Sequence, residues 1–160
     1  MKTCLKESLK KVPQHWKSAS KIYGEACEYW VSDQYCCPLC GGALLKLAAN
    51  TPIIDHVCRG CDAKFQVKSS KKPFVANSEG NIKILGAEYN KTLEAISEYH
   101  VILVEYDKIN LKVNQVGTIL KNNVTSKNVI PRNPLGPNAR RAGWQGCTLI
   151  FDSNVISFSF

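Results

Sequence analysis

Two cysteine pairs, Cys37-Pro-Leu-Cys40 and Cys58-Arg-Gly-Cys61, stand 17 residues apart. No other feature restricts the fold as much. Tetrahedral zinc takes four thiolates, and two tight knuckles brought face to face by a hairpin supply them. The spacing fits the pattern of paired Cys-x2-Cys knuckles. Cys36 offers an alternative to Cys37, but with a looser spacing to Cys40, so Cys37, Cys40, Cys58 and Cys61 are the expected ligands. Free thiols or a redox pair are the other reading of the same residues. A closed four-thiolate site has no open position for substrate, so a zinc held there is structural. Cys4, Cys27, Cys36 and Cys147 fall outside the pattern and read as buried or incidental thiols.

The chain has 160 residues, enough for one domain with a real core. We expect a single domain over residues 1–160, with the zinc knuckles at 36–61. No apolar run approaches the roughly 20 residues that span a bilayer. The N-terminal MKTCLKESLKKVPQHWK is basic and lacks an apolar signal core. A cytoplasmic protein that is not membrane-bound is therefore expected, and eight cysteines in such a compartment point to metal before disulfides. The net charge of +8 favours anionic partners, nucleic acid first.

Apolar residues recur at helical spacing from Trp16 to Val31, with Ser18 or Ser20 available as the cap. Thr51–Ile54 and Ala63–Lys68 read as short strands flanking the second cysteine pair, and 69–80 as a polar loop. Ile82 to Tyr99 reads as a second helix, with Ile84, Leu85, Tyr89, Leu93 and Ile96 on one face. The run HVILVEY at 100–106 suits a buried strand. Asn110–Leu120 and Cys147–Phe151 read as further strands. This order argues for an α/β fold: a central mixed sheet flanked by helices, carrying the cysteine hairpin as an insertion.

The knuckle segment holds a second constellation. Asp55 follows Pro52, and Gln66-Val67-Lys68 lies on the next strand, where residues two apart share a face. A hairpin would bring Asp55 to Gln66 and Lys68. A carboxylate and a second oxygen ligand can hold a hard divalent cation, with a lysine beside the attacked phosphate. A solvated strand face is the plain alternative. Pro52…Asp55…Gln66-Val67-Lys68 resembles the PD-(D/E)xK nuclease core, with Gln66 in place of the usual acid. Glu28, on the first helix, is the candidate for an additional catalytic carboxylate.

The interleaving of knuckles and triplet, together with PRNPLGPNARRAGWQGC at 131–147, resembles the DpnI family of restriction endonucleases. Glu28-Tyr-Trp-Val, YCCPLCGG and FQVKSSKK agree in order, so the likeness runs over roughly residues 15 to 150. It implies a methyl-directed type II endonuclease that uses magnesium to cut double-stranded DNA at GATC sites carrying N6-methyladenine. It also implies a structural zinc and a C-terminal winged helix; the present residues are expected to be the catalytic domain without that winged helix. Asp55, Gln66 and Lys68 fall on the metal-binding and catalytic positions, and the four cysteines on the zinc ligands. Family members usually carry Glu where Gln66 stands.

Arg140 and Arg141 can grip phosphates or a guanine edge, and Trp144 can stack on a base or wall a methyl group. Lys71, Lys72 and Lys83 are candidates for backbone phosphates. With no evident dimer helix, a monomer is expected. The competing reading is a zinc-stabilised module that binds methylated DNA and cuts weakly or not at all.

Overall fold

The computed structural model describes residues 2–159. After a short helix α1 (Lys6–Lys10), the helix expected from Trp16 begins at Ala19 and runs to Gln34 as α2. Ser18 is its cap, and the Ser18 side chain accepts from the Lys21 N–H at 3.4 Å. Ala26, Cys27, Trp30 and Val31 form its buried stripe.

The central sheet has six strands in the order β1 (Leu44–Lys46), β2 (His56–Cys58), β3 (Lys64–Ser70), β5 (His100–Asp107), β6 (Lys112–Ile119) and β9 (Ile156–Ser159). It is mixed: β3 and β5 pair in parallel and every other pair is antiparallel. Its middle strand β5 is buried on both faces over His100–Tyr106, which accounts for the continuous apolar run there. Phe65, Val67, Ile102 and Val104 pack toward α2 with Trp30 and Val31. Val101, Leu103 and Ile119 pack the other way. Burial of each such side chain contributes about 1.5–3 kcal/mol.

That second face departs from the expectation of helices on both sides. It is covered by a three-stranded antiparallel sheet in the order β4 (Asn81–Glu88), β8 (Gly146–Asp152), β7 (Val129–Pro131), with Ile82, Ile84, Leu149 and Phe151 turned inward. The predicted helix from Ile82 to Tyr99 is therefore mostly strand. Only α3 (Tyr89–Glu94) is helical, capped by the Glu88 carboxylate, which accepts from the Asn90 and Lys91 N–H groups. Ile82 and Ile84 are buried while Leu85 is 68% exposed, so the working period is two and Leu85 never joined an apolar face. The strand expected at Thr51–Ile54 is also absent. Asn50 and Ile53 have positive φ (73° and 63°), which bends the chain there, and the strand starts at His56.

Candidate functional site

The four expected cysteines converge, with all their sulfurs within 4.8 Å of one another. The Cys37–Cys61 and Cys40–Cys58 separations are 3.8 and 3.4 Å, close to the roughly 3.8 Å edge of a tetrahedron with 2.3 Å zinc–sulfur bonds. The cluster could hold zinc. Backbone N–H groups of Leu39, Gly42 and Gly60 donate to the sulfurs of Cys37, Cys40 and Cys58 at 3.3–3.4 Å. The N–H groups of Cys61 and Gly60 draw the Cys58 thiol down to about 7, while burial raises Cys37 and, against the Gly42 N–H, the Cys58 and Cys61 thiols raise Cys40. A Cβ on Gly60 would lie 3.0 Å from the Cys40 sulfur, so the knuckle closes on glycine. Cys36 instead bridges through its backbone to Ala43 and is exposed.

The same hairpin fixes Asp55. β2 pairs with β3 only at Lys64 and Phe65, which leaves the Val67 N–H free of backbone partners on that side. Asp55 fills the gap: its Oδ2 accepts from the Val67 N–H at 2.7 Å, and its own N–H donates to the Phe65 carbonyl at 2.9 Å. Strand alternation turns Gln66 and Lys68 to the face opposite Val67, opposite Val101 and Leu103 of β5. Gln66 is 3% exposed and its Oε1 has no hydrogen-bond partner. A buried carbonyl oxygen left unpaired costs about 1–3 kcal/mol, so this position suits a ligand.

The charges around it are mutually perturbed. Burial above all, opposed by the Val67 hydrogen bond and Lys68, raises Asp55 to about 6. Burial, then the repulsion of Asp55 and Glu25, raises Glu28 to about 8. Burial pushes Lys68 down, with Asp55, Cys147 and Glu28 opposing it. Asp55, Lys68 and Glu28 thus lie within electrostatic reach of one another, and Gln66 shares the strand face of Lys68. Among the described residues no three carboxylates crowd as the cysteines do, so an ion beside Asp55 would depend on neutral or external oxygens.

Lys68 opens into a cleft of about 390 Å³ between β3 and β4, shared with Lys72 and Lys83 and lined by no acid. Lys71 turns away from it, toward the N-terminal end of α2. Arg140, Arg141 and Trp144 lie apart from the acids, on the loop 132–145 joining β7 to β8. Trp144 is half-buried; the Arg141 guanidinium sits 4.7 Å from its ring centroid and that of Arg132 5.8 Å. Leu135 and Trp144 close the loop through a 2.9 Å backbone hydrogen bond.

A family model described as DpnI, the Dam-replacing family, matches residues 4–155. The chain belongs to this family. The match spans the cysteine knuckles, the Asp55–Lys68 hairpin and the arginine–tryptophan loop together. No helix among the described residues is long and apolar enough to cross a membrane.

The sequence reading missed three members of this surface. Glu25 and Lys46 form an ion pair at 2.5 Å with both side chains under 10% exposed, and Lys46 also lies 4.8 Å from the Tyr29 ring centroid. Glu25 lies one helical turn before Glu28, which was the available signal. Arg132 rests over Gly146, where a Cβ would come within 2.1 Å of its Nη2. Only the fold brings those two residues together.

Proposed function

We propose that this chain is a divalent-metal-dependent endonuclease of the PD-(D/E)xK type that cleaves double-stranded DNA at GATC sites carrying N6-methyladenine. The observation that carries the reading is the unpaired, buried Oε1 of Gln66 beside an Asp55 carboxylate anchored on the amide between Gln66 and Lys68. Asp55 and Gln66 would hold magnesium, with Glu28 as a further oxygen donor. Magnesium, when bound, polarises a phosphate oxygen and acidifies the attacking water.

The residues of the chain do the rest. Lys68, whose charge is weakened by burial, would hold the water or take up charge developing on the scissile phosphate. Gln66 contributes an oxygen without charge, so the cation site holds one anion fewer and depends more on the phosphate itself. Lys72 and Lys83 line the cleft that leads to Lys68 and would bind backbone phosphates. The half-exposed Trp144 face, flanked by Arg132 and Arg141 and with Arg140 next in the loop, would meet the modified base; a single methyl group discriminated by such a wall is worth about 1–3 kcal/mol. The Cys37/Cys40/Cys58/Cys61 cluster would hold a structural zinc and stiffen the hairpin that presents Asp55.

Digestion of methylated and unmethylated GATC plasmid in magnesium tests the proposal. Cleavage of methylated plasmid alone, lost in Asp55→Ala and Lys68→Ala, is expected. Methyl-dependent gel shifts with no cleavage by the wild type would refute the catalytic part and leave a reader of methylated DNA, a role that Gln66 favours.

A further inference from the structure

The N-terminal end of α2 faces a cavity that neither Asp55, Glu25 nor Glu28 lines. Its volume is about 190 Å³, and its walls include Ala19, Ser20, Tyr23, Lys71, Tyr106 and Lys108. The amides of Ala19 and Ser20 find no acceptor among the described residues, and the first turn of α2 carries no acidic residue. The positive end of a 16-residue helix is thus left without its usual counter-charge. Two lysines reinforce it, with Lys108 lying 5.5 Å from the Tyr23 ring centroid.

A further feature points to a ligand. Tyr106 is 7% exposed, stacks flat on Tyr23 at 5.3 Å, lines the cavity, and makes no hydrogen bond through its hydroxyl among the described residues. The nearby acids are committed elsewhere: Glu105 accepts from the Phe74 N–H, and Asp107 from the Ile109 and Asn110 amides. The cavity therefore combines donors and positive charge with no lining carboxylate, a combination that suits a phosphate. Ser69 and Ser70 belong to its wall and also to the wall of the Lys68 cleft, so the two recesses adjoin across the end of β3.

We propose that this cavity seats a backbone phosphate of the bound DNA strand, one that flanks the phosphate lying in the Lys68 cleft. The assignment rests on the endonuclease reading for its source of phosphate, and on the cavity alone for its chemistry. Ser20 is the discriminating position. A carboxylate at the second position of a helix favours the helix but repels a phosphate, so Ser20→Asp separates lost binding from lost folding.

The test is fluorescence anisotropy of a labelled duplex carrying one N6-methyladenine GATC site, titrated in calcium over a salt series. Lys108→Ala is expected to make the slope of log Kd against log salt shallower by about 1. Ser20→Asp is expected to weaken binding by about tenfold or more while Tm holds or rises. A neutral methylphosphonate at the seated position should reproduce the Lys108→Ala loss and leave that variant nothing further to lose. Wild type that binds the duplex, with slope and affinity unchanged in both variants, overturns this proposal and spares the endonuclease reading. Inorganic phosphate that raises the wild-type Tm but not that of Ser20→Asp, with unchanged duplex binding, assigns the cavity to a free anion and overturns the DNA contact. Wild type with no affinity for the duplex overturns both.

Discussion

Replacing Gln66 by Glu puts a second acid next to Asp55, and its consequences can be worked from the geometry. Gln66 is 3% exposed and lies beside Asp55, whose carboxyl rises from 3.8 to about 6 even with the Val67 N–H supporting its charge. That rise is worth roughly 3 kcal/mol at 1.36 kcal/mol per pH unit. A glutamate at 66 has no such amide and an acid neighbour, so its charged form should cost at least about as much. Its folded-state pKa is raised above the unfolded value of about 4.3, so both states are neutral at lower pH, and stability is lost as pH rises through the folded pKa. At pH 8 the metal-free Gln66→Glu protein should melt about 6–12 °C below wild type, given 2–4 °C per kcal/mol for a chain of this size. Near pH 4 that electrostatic deficit should vanish. Magnesium should then recover more stability in the variant than in wild type, the bound ion contributing about 2.7 kcal/mol to the variant where its concentration is a hundredfold above that protein's Kd. Differential scanning calorimetry at both pH values, with and without magnesium and without a chelator that would strip zinc, measures this directly. A melting deficit equal at pH 4 and pH 8 and indifferent to magnesium would mean that Gln66 faces plain core, and the cation reading would fall.

Cys37→Ala should abolish zinc retention and loosen the hairpin, whereas Cys36→Ala should keep about one zinc per chain; metal analysis of purified protein decides between them. Lys46→Met leaves Glu25 buried without its partner and should cost about 3–5 kcal/mol in denaturant unfolding, much of it recovered by adding Glu25→Leu. Glu28 is raised from 4.5 to about 8, so the metal-free protein should lose stability as pH rises across that interval, and Glu28→Gln should flatten the dependence in a melting series. Gly146→Ala would drive Arg132 off the Trp144 ring and should weaken methylated-duplex binding in anisotropy while leaving zinc content unchanged.

The parts of the fold legible in the sequence were those whose signal is short-range. The spacing of the knuckles specified which cysteines meet. The apolar stripe announced α2 to within three residues at each end, and HVILVEY announced the buried central strand. Ile82–Tyr99 misled because Ile84, Leu85, Leu93 and Ile96 satisfy a helical period that the tertiary structure never uses. Pairing with β8 selected the alternation of Ile82 and Ile84 and left Leu85 in solvent. Thr51–Ile54 misled because β-branched residues suit a strand, while the positive φ of Ile53 is visible only in the backbone.

Sequence alone determined the chemistry on offer: four thiolates at knuckle spacing, an acid upstream of Gln-x-Lys, and a surplus of positive charge. Tertiary structure decided the environment of those groups. The short pairing of β2 with β3 released the Val67 amide to Asp55, and the packing of α2 brought Glu28 and the Glu25–Lys46 pair against it. Folding also buried Gln66 within β3 and left its side-chain oxygen without a partner. Ligand identity is a property of single residues, whereas desolvation and repulsion depend on the distances between residues far apart in the chain, and only folding sets those distances.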